Sequence, residues 1–289
     1  MMSNEGLVKV KGGRIWYKIS GKENDKPPLL LVHGGPGFPH NSLESLEILS
    51  KKRPLIFYDQ LGCGKSDRPK NPRLWVVDRF IEEIETIRKS IRLQPFHLLG
   101  HSWGSLIAAE YATVKPKGLL SLVLSGPLLS VNKWVDDANK LKKKLSPTLQ
   151  KAITKNENKG LVNTQDYKKA ALEFYKRFYC RVYPFPKLVE ETNKGANLEI
   201  YNTMWGPTEF TCTGNLRGYD VTDKLDKITV PVLLTCGRYD EAAPQTVRFF
   251  KSLFKNAEMV VFENSAHLPF IEEQKKYIKI LNNFLVENE

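Results

Sequence analysis

The chain of 289 residues is 41% hydrophobic and 26% charged, values of an ordinary globular protein that exclude collagen-like and disordered classes. Its net charge of +12 does not mark a nucleic-acid binder, because residues 1–130 carry 19 basic and 12 acidic side chains, 131–222 carry 16 and 10, and 223–289 carry 9 and 10, so the excess is spread. No apolar run approaches 18 residues, the length a membrane-spanning helix needs.

Met1-Met2-Ser3-Asn4-Glu5 lacks the basic and apolar regions of a secretory leader. Cys63, Cys180, Cys212 and Cys236 form neither a C-x-x-C pair nor a cluster with histidine. Free thiols and a cytoplasmic protein are therefore expected, with no metal and no cofactor. Residues 7–20 alternate apolar and polar side chains around Gly12-Gly13, the pattern of a β-hairpin. Residues 28–32, Pro-Leu-Leu-Leu-Val, are an unbroken apolar run that a parallel sheet buries on both faces. They end at the glycine-rich stretch His33-Gly34-Gly35-Pro36-Gly37, which lacks the lysine and hydroxyl residue of a phosphate-binding loop. Residues 54–58 form the next strand and run into Asp59-Gln60-Leu61-Gly62-Cys63-Gly64-Lys65-Ser66. The spacing of Val77, Phe80, Ile84, Ile87 and Ile91 predicts a helix over 75–92.

Residues 96–99 then lead to Gly100-His101-Ser102-Trp103-Gly104, and 105–114 read as a helix. Gly-x-Ser-x-Gly between a strand and a helix is a nucleophile elbow, a tight turn that pushes its serine into a cleft. Residues 119–124 form another buried strand. From about Ser130 the rhythm breaks for some 95 residues, with helix-like segments near 134–155 and 166–181 and a corner at Pro184-Phe185-Pro186. The basic run from Lys140 to Lys144 has no interleaved aromatics and reads as a solvated helix face. Alternation resumes with a strand at 230–235, a helix around 244–255, a strand at 259–262 and a final amphipathic helix around 271–286. The expected architecture is α/β: a mostly parallel sheet flanked by helices, from residues 1–129 and 223–289, with a helical cap inserted at 130–222.

A serine nucleophile needs a base, and the base needs an acid to orient it. His267, between the strand at 259–262 and the last helix, and Asp240, in the loop after the strand at 230–235, supply them. The order Ser102, Asp240, His267 is that of α/β-hydrolases. Asp240 could instead cap a helix, and Asp223 and Asp226 are rivals for the acid. Oxyanion donors are expected from the backbone amides of Trp103 and Gly35.

His33-Gly34-Gly35-Pro36-Gly37, Asp59-Gln60-x-Gly62-Cys63-Gly64-x-Ser66, Ser102-Trp103-Gly104, Tyr239-Asp240-Glu241 and His267 together resemble the prolyl iminopeptidase family of α/β-hydrolases. Trp205-Gly206-Pro207-Thr208-Glu209-Phe210 is similar to the cap of the tricorn-interacting aminopeptidase. The resemblance implies a serine aminopeptidase that releases an N-terminal residue, often proline, from short peptides or amino-acid amides without metal, through an acyl-enzyme. It also implies that Glu209 and Glu241 bind the substrate amine. Read without the family, Glu241 could be a first-turn helix residue and Glu209 a surface residue of the cap. Trp103, Tyr201, Trp205 and Phe210 are candidate pocket walls. His101 stands where many members have glycine, and Leu61 where arginine is frequent. An esterase, amidase or carbon–carbon hydrolase with the same triad, or a non-catalytic ligand receptor, are the alternatives on this fold. A serine at position 102 disfavours aspartate-nucleophile chemistry.

Overall fold

The computed structural model describes residues 3–21 and 25–289; Met1 and Met2, the start of the segment read for a secretory leader, lie outside them. An eight-stranded sheet runs through the molecule in the order β1-β2-β4-β3-β5-β6-β7-β8. The strands are β1 (Ser3–Val10), β2 (Gly13–Ser20), β3 (Leu29–Val32), β4 (Leu55–Tyr58), β5 (Phe96–His101), β6 (Leu119–Ser125), β7 (Val232–Gly237) and β8 (Ala257–Phe262). Among the described strands of this sheet the hairpin β1–β2 and its pairing with β4 are antiparallel, and the other pairings are parallel.

Successive side chains of a strand point to opposite faces, and the unbroken apolar runs use both. Leu30, Val32 and Leu98 join one core, while Leu29, Leu31 and Leu99 join the other. The first face is covered by α1 (Val77–Ser90) and α2 (Trp103–Thr113) and, further along the chain, by Val247 and Phe250. α1 packs through Val77, Phe80, Ile84 and Ile87, the spacing read from the sequence. α2 is buried over most of its length, as expected of a helix packed between the sheet, α1 and the turn Thr222–Lys227. The second face is covered by Leu43, Leu46 and Leu49 of a 3-10 stretch, His40–Lys51, and by the C-terminal helices. That stretch was not anticipated: Leu43, Leu46 and Leu49 recur at every third residue, the 3-10 period, rather than at the mixed three- and four-residue spacing of an α-helix.

Between β6 and β7 lie five helices, α3 (Val131–Lys142), α4 (Pro147–Glu157), α5 (Gln165–Phe178), α6 (Lys187–Lys194) and α7 (Leu198–Met204). The expected helix over 134–155 is two, because Pro147 cannot donate to the preceding turn and opens α4 at its first position instead. Ala138, Leu141, Ile153, Tyr167, Ala170 and Phe174 of α3, α4 and α5 close a small core of their own. α6 and α7 were not anticipated; α7 is capped by Asn197, which accepts from the Glu199 amide at 3.1 Å. After β7 comes α8 (Pro244–Lys251), and the expected final helix is again two, α9 (Pro269–Glu272) and α10 (Gln274–Glu287). Among the described residues no helix is long and apolar enough to cross a membrane.

Candidate active site

The turn from β5 into α2 is enforced by its glycines. A Cβ on Gly100 would lie 2.3 Å from the Gly104 carbonyl oxygen, and one on Gly104 would lie 2.3 Å from that of Val32, so no side chain fits at either. Ser102 between them takes φ 54° and ψ −123°, a conformation that costs a non-glycine residue about 1–3 kcal/mol. It is held there by Ser102 N–H donating to Ser125 O at 2.9 Å and Ser105 N–H donating to Ser102 O at 2.8 Å. The Ser102 side chain makes no capping bond to α2. It faces a cavity of 540 Å³ under the helices that follow β6.

Asp240 stands in the loop after β7 and His267 in the loop after β8. His267 Nδ1–H donates to Asp240 Oδ1 at 2.7 Å. The same carboxylate accepts from the Ala242 amide at 2.8 Å and from the Gly237 amide at 3.2 Å. Burial raises the Asp240 carboxyl while these amides pull it back, and burial pushes His267 down to about 3, holding it neutral. With Nδ1 turned to Asp240, Nε2 is the nitrogen free for chemistry. Asp223 and Asp226, the rivals, are exposed on a 3-10 turn, Thr222–Lys227, and neither lines the cavity.

Two carboxylates share this cavity. Glu241, beside Asp240, is buried, and its Oε1 lies 3.9 Å from His267 Nε2, while its Oε2 has no hydrogen-bond partner among the described residues. Glu209 enters after α7; its Oε1 accepts from Trp134 Nε1 at 2.7 Å and its Oε2 from the Tyr201 hydroxyl at 3.1 Å. Burial raises both carboxyls, and the charges of Glu209 and Asp240 raise Glu241 further. No lysine or arginine lines the cavity among the described residues. Gly34 and Gly35 form its floor beside Ser102, and Gly35 takes φ +135°, which disfavours any residue with a side chain. Trp103 opens α2, and the first amides of a helix have no partner within it.

Residues 27–274 match the family model of the alpha/beta hydrolase fold. Over 285 residues the chain is 43% identical to a proline iminopeptidase of Heyndrickxia coagulans, spanning 98% of this chain and 99% of that one. The chain belongs to the proline iminopeptidase family of α/β-hydrolases. The solved structure of VinJ superposes with a TM-score of 0.96 at 33% identity, covering 99% of both chains. That of a proline iminopeptidase from Mycobacterium smegmatis gives 0.92 at 31% identity, covering 99% of this chain and 98% of that one.

Several expectations drawn from the family resemblance are corrected or completed by the structure. Tyr201 and Trp205 line the cavity, but Trp103 and Phe210 do not. The Trp103 indole is fully buried edge-on to Phe80, and Phe210 packs against Phe174 in the small core of α3–α5. His101 does have a place: its Nδ1–H donates to Ser125 O at 3.0 Å, and its ring lies 4.6 Å from that of His267 with Phe270 edge-on behind it. Leu61 is buried in the core next to α1. Cys63 is buried off the cavity, its Sγ–H donating to Gln60 O at 3.2 Å, and burial pushes the thiol up, so it is inert.

Sequence reasoning missed Trp134, Tyr175 and Tyr179, which line the cavity, because aromatics inside amphipathic helices look like core. It also missed Glu272, which accepts from the amides on both sides of His267, Ala266 at 2.9 Å and Leu268 at 3.2 Å, and from the Arg181 amide at 2.7 Å. Glutamate in the first turn of a helix is a common pattern, and nothing in it told which loop this one would hold.

Proposed function

We propose that the chain is a serine aminopeptidase that releases N-terminal residues, proline foremost, from short peptides and amino-acid amides, with residues 130–222 as the cap over its active site. The observation that carries this reading is the pair of Glu209, half-buried, and Glu241, buried: two carboxylates facing a cavity without a lysine or arginine among its described lining. Buried carboxylates need a cationic partner, and a substrate ammonium supplies one. An N-terminal proline carries two N–H groups on its ammonium, one for each carboxylate, whereas a primary ammonium has a third to place.

With the amine so held, the first carbonyl carbon is set beside Ser102. His267 Nε2 takes the Ser102 hydroxyl proton as Oγ bonds to that carbon, and Asp240 fixes the tautomer and steadies the imidazolium that forms. The carbonyl oxygen becomes an oxyanion between the Gly35 and Trp103 amides. As the C–N bond breaks, His267 returns the proton to the departing amine. Water then attacks the acyl-enzyme with His267 again as base, freeing the amino acid and Ser102. The free, buried cysteines fit a cytoplasmic protein.

The test is hydrolysis of proline, alanine and leucine anilides. Activity on free-amine anilides, highest on proline and abolished by Ser102→Ala, is expected. Turnover of simple esters with none of any anilide would overturn the peptidase reading.

A further inference from the structure

Behind the cavity floor, one side chain that does not line the cavity links the two segments that carry the expected oxyanion donors. Gln60 follows β4 and is fully buried. Its amide orientation is forced by its neighbours: the indole Nε1–H of Trp103, which can only donate, lies 2.9 Å from Gln60 Oε1, so the amide nitrogen faces His33 and donates to its carbonyl oxygen at 3.0 Å. Gln60's own main-chain N–H donates to His33 Nε2 at 2.9 Å. His33 Nε2 is therefore unprotonated, and Nδ1–H donates to the Gly34 carbonyl oxygen at 2.8 Å. Burial, which pushes His33 down to about 4, agrees with this neutral form.

The consequence lies one peptide further on. In a trans peptide the C=O and N–H point to opposite sides. With Gly34 C=O turned back to the His33 ring, the Gly35 N–H is turned away from that ring. On the other branch, the Trp103 indole is anchored to Gln60, and the Trp103 main-chain amide opens α2 directly after Ser102.

We infer that Gln60 is a positioning residue for the reaction proposed above, a single amide side chain that locks the Gly35 loop and the Trp103 end of α2 to each other and so sets the spacing of the two oxyanion donors. The inference rests on the serine-hydrolase reading but not on the amine site. Removing an oxyanion donor costs about 10²- to 10³-fold in turnover; loosening two donors without removing either is expected to cost about 10- to 100-fold.

The experiment measures two rates on purified, folded protein. The first is covalent labelling of Ser102 by a fluorophosphonate, which forms a tetrahedral adduct and needs the oxyanion donors but no substrate amine. The second is steady-state hydrolysis of proline anilide, with inhibition by free proline as the ground-state readout. Gln60→Met, close in volume, removes both side-chain bonds and keeps the main-chain N–H to His33 Nε2; Gln60→Glu still accepts from Trp103, but its side chain cannot donate to the His33 carbonyl oxygen. Each is expected to slow labelling and lower kcat about 10- to 100-fold while KM and proline inhibition move by less than about threefold, the split expected when transition-state binding alone is lost. Labelling at the wild-type rate by either folded variant overturns the inference, as does a matching loss of proline binding. Should both variants fail to fold, Trp103→Phe, which keeps the main-chain amide and removes the indole donor, carries the same expectation and the same refutation. A wild-type protein that labels normally but cleaves no anilide would sink the aminopeptidase reading while leaving the Gln60 comparison measurable.

Discussion

The acids packed around His267 and the acids that face the cavity are treated in opposite ways. Asp240 fills its acceptors with the His267 ring and the Ala242 and Gly237 amides, and Glu272 takes three main-chain amides around His267. Glu241, the very next residue after Asp240, leaves Oε2 without a partner, and Glu209 is met only by the neutral donors Trp134 and Tyr201. A buried polar atom left unsatisfied costs about 1–3 kcal/mol, more when charged. One set is completed by the protein, and the other, on the function proposed above, by the substrate ammonium. The two are stitched together at the end of α5, where Phe178 O accepts from the Glu241 amide at 3.3 Å and Tyr179 O from the His267 amide at 3.0 Å.

The contrast is broken most severely around His267. Asp240→Asn places an NH₂ group among three donors and favours the wrong His267 tautomer, so kcat should fall by about 10³- to 10⁴-fold. KM for proline anilide should hold within a few-fold. A variant with near-normal kcat would show that Asp240 does not orient His267.

On the other side, Glu209→Gln keeps the shape and removes one charge. An interaction with a charged partner is worth about 1.5–3 kcal/mol, so kcat/KM for free-amine anilides should drop about 10- to 100-fold, with N-acetylated esters nearly unaffected. Because burial raises both glutamates, the same charge is lost in wild-type protein as the pH falls. KM for free-amine substrates should therefore rise on acidification more steeply than KM for esters; parallel profiles would separate the glutamates from the amine.

The smallest effect is on stability. His33 and His97 are pushed down to about 4 and His267 to about 3 by burial, so each is neutral when folded and takes a proton on unfolding below its ordinary value of about 6.5. Their contribution is fully present above that value and is lost as the pH falls toward 4, at about 1.4 kcal/mol per pH unit for each histidine once unfolding alone protonates it. His40 opposes this: burial lowers it, but the Asp59 and Glu44 carboxylates outweigh that and raise it to about 9, so its share is present below about 6.5 and lost toward 9. The buried carboxyls of Asp240, Glu209 and Glu241, raised in the folded protein, act in the opposite sense over the same range, so the histidine share is read by difference: between pH 6.5 and 4.5 the wild-type thermal midpoint should fall relative to that of His97→Gln, and parallel midpoints would mean that His97 is solvated.

How much of this was legible in the sequence follows the same division. The parallel strands are continuous apolar runs, the elbow needs glycine on steric grounds, and the order of Ser102, Asp240 and His267 is a property of the chain itself. The cap was legible only as a loss of rhythm, since α4, α6 and α7 are short and set by Pro147, Asn197 and packing. Glu209 and Glu241 were nominated by family likeness. Periodicity could not find them, because a carboxylate is unusual only once its burial and its missing partner are seen. His101 and Gln60 gained their places from contacts across the sheet edge, which no local pattern records.

The central claim is that chemistry and amine recognition are held by separate acids one residue apart. Glu241→Gln, assayed on proline anilide and on an N-acetylated ester in one preparation, tests it most directly. The account predicts a loss of about 10- to 100-fold in kcat/KM on the anilide and near wild-type turnover of the ester. Equal losses on both substrates would contradict it.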